Sequence, residues 1–195
     1  MQRKGFKDVY VAKIIDDTVS TYTTDTPVKL FKSISGKTKL AQNVENVYLD
    51  DTLDEIEQSF KEGTLELEGD NLTPALVEMV YGHKAIKGMT IKNSNDMANN
   101  IAVGYRSKNS DGTYQFYWWY KVNFAGDEEV DFEQIAEKSK RQPVKLKGTI
   151  MPRLKDNNIG VDVNEGYLKI TDTDAKTMIA DWFGEVHEPL MPETP

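Results

Sequence analysis

Asn100-Ile101-Ala102-Val103-Gly104-Tyr105-Arg106-Ser107, then Asn109-Ser110-Asp111-Gly112, then Thr113-Tyr114-Gln115-Phe116-Tyr117-Trp118-Trp119-Tyr120-Lys121-Val122-Asn123-Phe124, reads as a β-hairpin. The first run is rich in strand formers, and the second is turn chemistry with Gly112 free to take a positive φ. In the third, Tyr114, Phe116, Trp118, Tyr120, Val122 and Phe124 share one face at period two, which predicts a core face. Gln115, Tyr117, Trp119, Lys121 and Asn123 share the other. Tyr117 and Trp119 make that second face half apolar, so it calls for a cover: a helix, a second sheet or a neighbouring subunit. The two are therefore candidate packing or subunit-interface aromatics.

Outward from this hairpin, strands dominate. Phe6 to Ile15 is rich in β-formers, Thr26-Pro27-Val28-Lys29-Leu30 follows a threonine-rich turn, and Val144 to Met151 alternates. Thr64-Leu65-Glu66-Leu67-Glu68 puts leucines on one face and acids on the other. Val44, Asn46, Tyr48 and Ile56 to Phe60 are weaker candidates separated by acids, and Val161, Val163, Leu168 and Ile170 suggest shorter strands. Thr73 as cap, Pro74 at the first helical position, a Leu76/Val77/Val80 stripe and Gly82 as stop predict one helix. Asp172 or Thr173 is expected to cap a second over Asp174 to Phe183, with Gly184 as its stop. The expected class is mainly β, a β-sandwich or barrel-like fold with one flanking α-helix and a short C-terminal helix. A single domain is expected over 1–195, with an extended Pro-rich tail from about residue 189.

Composition closes most enzyme routes. The 195 residues include no cysteine, which excludes disulfides, thiolate zinc sites and a cysteine nucleophile. No Gly-rich phosphate loop, nucleophile elbow or paired-His zinc motif occurs. His83 and His187 read as structural, while Asp156-Asn157-Asn158 and Asp172-Thr173-Asp174 read as turns without EF-hand spacing. Catalytic residues, cofactors and metal ligands are accordingly not expected. No apolar run reaches the ~20 residues of a membrane span, and Met1 to Lys7 leads into alternating sequence, so neither a span nor a signal peptide is predicted.

Charge is unevenly placed. Lys+Arg 24 against Asp+Glu 32 gives a net charge of -8, which argues against gripping nucleic acid by counterion release. Glu45 to Asp70 holds ten acids against the single base Lys61, whereas residues 1–40 carry eight bases against four acids. A second acidic cluster, Asp127 to Glu133, precedes Lys138, Lys140, Arg141, Lys145 and Lys147. Opposite signs on different stretches suit a self-associating surface.

An ordered series of motifs then carries a resemblance. Gly5-Phe6-Lys7-Asp8-Val9-Tyr10-Val11-Ala12-Lys13, Leu49-Asp50-Asp51 before an acidic stretch, Gly63-Thr64-Leu65-Glu66-Leu67, and Gly82-His83-Lys84 after the helix come first. The central hairpin, Lys147-Gly148-Thr149-Ile150-Met151-Pro152-Arg153, Ala180-Asp181-Trp182-Phe183 and Val186-His187-Glu188-Pro189 follow. Together they resemble, over about residues 5–189, the major tail protein (tail tube protein) of long non-contractile-tailed bacteriophages of Gram-positive hosts. Gln134 to Arg141 is more basic and helix-prone than the extended segment expected there.

The resemblance implies a structural virion protein of the phage tail, made in the host bacterial cytoplasm. It implies self-assembly into stacked hexameric rings whose inner sheets join into one barrel, and tape-measure, tail-terminator and distal tail proteins as further partners. Genomic DNA would pass through without tight binding. Four inner strands from each of six copies would give about 24 strands and, at about 4.8 Å per strand, a barrel roughly 37 Å across. Asp50, Asp51, Asp54, Glu55, Glu57 and Glu62 are the candidate lumen or inter-ring acids, since an acidic lining repels phosphates. The alternative from the residues is a monomeric carbohydrate- or surface-binding β-sandwich with Tyr117 and Trp119 as its platform. An acid-base hydrolase built on Asp50/Asp51 or Asp54/Glu55 needs one buried neutral acid, which exposed alternating sequence does not offer.

Overall fold

The computed structural model describes residues 2–49, 52–126 and 143–190. Its strands are β1 (Arg3–Asp17), β2 (Tyr22–Thr24), β3 (Val28–Phe31), β4 (Ser33–Leu49), β5 (Thr52–Gly69), β6 (Lys84–Ile86), β7 (Met89–Ile91), β8 (Asn100–Asn109), β9 (Tyr114–Asn123), β10 (Val144–Met151) and β11 (Gly160–Asn164). Helices α1 (Pro74–Tyr81) and α2 (Thr173–Ala180) complete it. The chain is mainly β, with a sandwich-like fold.

One antiparallel sheet runs β2-β1-β8-β9-β10-β5-β4, with β11 added on β9 and β3 on β1, and β6-β7 form a separate small hairpin. The sheet folds over itself. Leu65, Leu67, Leu146 and Ile150 of β5 and β10 thereby pack with Val9, Val11, Ile101 and Val103 of β1 and β8, and α1 adds Val80 and Tyr81. These residues are buried to within a few per cent, apart from Tyr81 at the edge. A second core lies on the opposite face of β1-β8-β9, where Ala12, Ala102, Phe116 and Trp118 meet Trp182 of the C-terminal segment.

Strand β9 serves both cores because it changes face part-way. Val103 pairs with Trp119 but Ile101 with Val122, so β9 carries an extra residue there and its alternation shifts. The single six-residue core face read from the sequence is thus split: Phe116 and Trp118 face the C-terminal segment, whereas Val122 and Phe124 join Tyr117 and Trp119 on the sandwich interior. Gly104 is required opposite the large ring, since a Cβ there would lie 2.7 Å from the Trp118 indole. Trp118 Nε1 donates to the Trp182 carbonyl at 2.9 Å, and Trp182 Nε1 donates to the Tyr117 carbonyl at 3.3 Å. These bonds seat the C-terminal segment along β9.

Helix α1 starts and stops where its sequence signals lie: Thr73 accepts from the Leu76 N–H, and Gly82 takes φ +75 in the left-handed region. Helix α2 ends at Ala180 rather than Phe183, because Trp182 turns into the second core. Leu168 and Ile170 are not in a strand; Asn164 caps a 3₁₀ turn over Glu165–Tyr167 instead. No helix among the described residues is long and apolar enough to cross a membrane. Asp127 to Glu133, Gln134 to Arg141 and the end of the Pro-rich tail lie outside the described residues.

Candidate functional site

The weak, acid-broken stretches between residues 33 and 62 form the longest element pair of the molecule. β4 and β5 pair from Ser33↔Gly69 out to Leu49↔Thr52. β10 covers β5 only as far as Ile150↔Gly63, so beyond that point the described strands β4 and β5 pair only with each other. From Ala41 to Leu49 this two-stranded arm extends about 30 Å at ~3.3 Å per residue. A two-stranded ribbon alone is marginal in water.

The two faces of the arm differ. Register places Val44, Ile56, Gln58 and Phe60 on the face continuous with the sandwich interior, and Glu45, Glu55 and Glu57 on the other. Leu40, Val44, Ile56 and Phe60 are 45%, 59%, 49% and 37% exposed. Glu45 pairs directly with Glu57, a like-charge cross-strand pair that is unfavourable in isolation. Glu62 follows, paired with Ala41 beside the bulge at Lys61. Of the six acids expected at the lumen or between rings, Glu55, Glu57 and Glu62 are exposed on this hairpin. Asp50, Asp51 and the side chain of Asp54 lie outside the described residues.

At the root of the arm, the outer face of β4-β5-β10 is polar and mixed in charge. Glu66 lies between Lys37 and Lys147, and Glu68 lies between Ser35 and Lys145. Ser35 Oγ donates to Glu68 Oε2 at 2.7 Å. The acidic surplus seen in the sequence therefore belongs to the arm, not to the body of this sheet.

The inner face opens on a cavity of about 620 Å³ between β1 and β4. Phe6 closes one side by resting on Gly36, where a Cβ would lie 2.6 Å from the ring. The floor is aromatic. Tyr105 stacks on Tyr117 at 4.9 Å between centroids, and its hydroxyl contacts Thr38 Oγ1 at 2.9 Å and accepts from Trp119 Nε1 at 3.1 Å. Tyr117 Oη is buried without a hydrogen-bond partner, and burial pushes the phenol up to about 12 against the opposing pull of Arg3. Arg3 lies over the Tyr117 ring at 5.6 Å, and Lys4 adds a second base to the lining. Tyr117 and Trp119 thus face inward over this cavity instead of forming an external platform.

No family model matches the chain, and no curated protein matches it in sequence.

The remaining polar candidates have local partners. His83 Nδ1 meets Asp96 Oδ2 at 2.7 Å, and His187 Nε2 lies 3.1 Å from the Asp181 carbonyl. Asp156 accepts from Arg153, whose buried guanidinium also sits 4.1 Å from the Tyr120 ring centroid and bonds Glu188 at 3.2 Å. That cluster clasps the C-terminal segment, a role the sequence did not reveal. No group of three potential metal-binding side chains occurs among the described residues.

Proposed function

We propose that the protein is a self-assembling structural subunit, a phage tail tube protein whose copies stack through the β4-β5 arm. The arm carries this reading: about 30 Å of two-stranded ribbon with an uncovered apolar face is stable when a second copy supplies the missing surface. Among the described residues, β4 also ends the sheet with nothing paired to its far side, and pairing between copies satisfies such an edge.

In this scheme the arm acids serve the contact between copies, and the mixed outer face of β4-β5-β10 lines the passage. Lys37 and Lys147 beside Glu66, and Lys145 beside Glu68, hold the wall near neutrality, so DNA phosphates meet no uncompensated basic stripe and slide without strong ion pairing. Hexameric rings, a place in the virion tail, and tape-measure, terminator and distal tail partners follow from the family resemblance and belong to the same proposal. Sedimentation velocity over a concentration series tests it. Large species growing with loading concentration support it; a single monomer peak throughout, with saturable sugar binding lost in Trp119→Ala, would favour a carbohydrate-binding module.

A further inference from the structure

The small hairpin β6-β7 pairs with no other strand among the described residues, and two strands of three residues are marginal in water without a covering surface. Helix α1 lies against it, with Glu78 Oε2 accepting from the Ala85 N–H at 3.2 Å. Ala85 and Thr90, paired across the strands, are half-buried. The opposite face carries Lys84, Ile86, Met89 and Ile91, which the register brings together. Ile86, Met89 and Ile91 are 37%, 59% and 48% exposed. Lys87 sits in the turn at one end of this apolar face, and Lys84 and Lys92 flank its other end. Between Glu78 and Asp96 the sequence has no acid, and Asp96 is engaged by the Asn93 N–H at 2.8 Å and by His83 at 2.7 Å. An apolar centre with a cationic rim is the complement of a segment whose apolar residues are bracketed by acids.

The chain carries such a segment outside the described residues: Asp127-Glu128-Glu129-Val130-Asp131-Phe132-Glu133 sets Val130 and Phe132 among five acids with no base. Its point of departure favours it as well. Gly126 lines a cavity of about 380 Å³ together with Tyr81, His83, Asp96 and Met97, and β6 begins directly after His83. Val130 and Phe132 follow Gly126 by four and six residues, a reach of about 13–20 Å at ~3.3 Å per residue, against roughly 10 Å for either strand of the hairpin. We infer that the outer face of β6-β7 is the docking site of residues 127–133 of the same chain. Val130 and Phe132 meet Ile86, Met89 and Ile91, while the acids meet Lys84, Lys87 and Lys92. The contact gives the hairpin a second covering surface, is made within one copy, and is independent of the self-assembly reading.

The absence of native cysteine allows a direct test. A double variant, Met89→Cys with Val130→Cys, is oxidised mildly at low protein concentration. Its control is Ser110→Cys with Val130→Cys, whose first thiol lies in the exposed β8-β9 turn, at the far end of β9 from Gly126. The 89–130 disulfide within one chain is expected at about tenfold the yield of 110–130, because docking raises the effective concentration of the two thiols. Tethering through Gly126 alone would also favour position 89, so Glu128→Gln, Glu129→Gln and Asp131→Asn are then added to both variants. Docking predicts that most of the excess disappears; tethering alone predicts that it stays. Equal yields at 89 and 110, or an excess that survives the neutral substitutions, overturns the inference. An 89–130 disulfide that joins two chains instead of forming within one overturns the same-chain contact.

Discussion

Replacing Val44, Ile56 and Phe60 together by threonine should separate folding from association. Threonine keeps strand propensity while removing most of the apolar surface. The three side chains are 59%, 49% and 37% exposed, so the isolated chain leaves roughly half of their area for a partner to cover. Full burial of such a side chain stabilises by about 1.5–3 kcal/mol, which puts the uncovered part near 1 kcal/mol each and about 3 kcal/mol per arm. That corresponds to a loss on the order of a hundredfold in the association constant for each arm contact. Folding should hardly change, because exposed substitutions typically stay within about 0.5 kcal/mol and 1 kcal/mol shifts the melting temperature of a chain this size by about 2–4 °C. Sedimentation velocity and thermal melting, run on the same samples, read the two effects apart. The reasoning is refuted if the triple variant associates like wild type, or if its melting temperature falls steeply, since the row would then be packed within its own chain.

Three further outcomes test the body of the fold. Trp182→Ala removes a side chain that is 1% exposed and wedged against Phe116 at 5.6 Å, so a loss of about 3–5 kcal/mol is expected, with proteolytic cutting of the released C-terminal segment as the readout. Gly104→Ala drives a methyl to 2.7 Å from the Trp118 ring and should cost about 1–3 kcal/mol in denaturant unfolding, with altered tryptophan fluorescence. The Arg153 hydrogen bond, with Asn158 adding to it and burial opposing, holds the Asp156 carboxyl well below the usual carboxylate range. A lowered folded-state value contributes stability that is fully present above about pH 4 and is lost as pH falls below it. Asp156→Asn should therefore melt lower than wild type at pH 7, and the gap should close on acidification below about pH 4.

Where local chemistry decided a feature, the sequence displayed it. Thr73-Pro74 and Gly82 delimit α1 because cap and left-handed stop are properties of those residues themselves. The turn at Gly112 and the alternation on either side define the β8-β9 hairpin in the same way. The exchange of faces within β9 was hidden, since an extra residue leaves the residue types alternating while the strand turns over. The arm was legible only as broken alternation. With both faces in water, no core pressure enforces apolar periodicity there, and acids fill the pattern. β6 and β7 are three residues each and carry too little sequence for any period. For the candidate site, Tyr117 and Trp119 were visible as apolar residues needing a cover, but the cavity they floor depends on β1 and β4, remote in sequence. The acids were visible as a block; their confinement to the arm required the register that pairs Glu66 with Lys37 and Lys147.

Electron microscopy of the purified chain, imaged in negative stain across a concentration and salt series, bears most directly on self-assembly into a tube. Rings or stacked tubes should form, with a central hole wide enough for a DNA duplex. Uniform particles of single-chain size at every concentration and salt would contradict it.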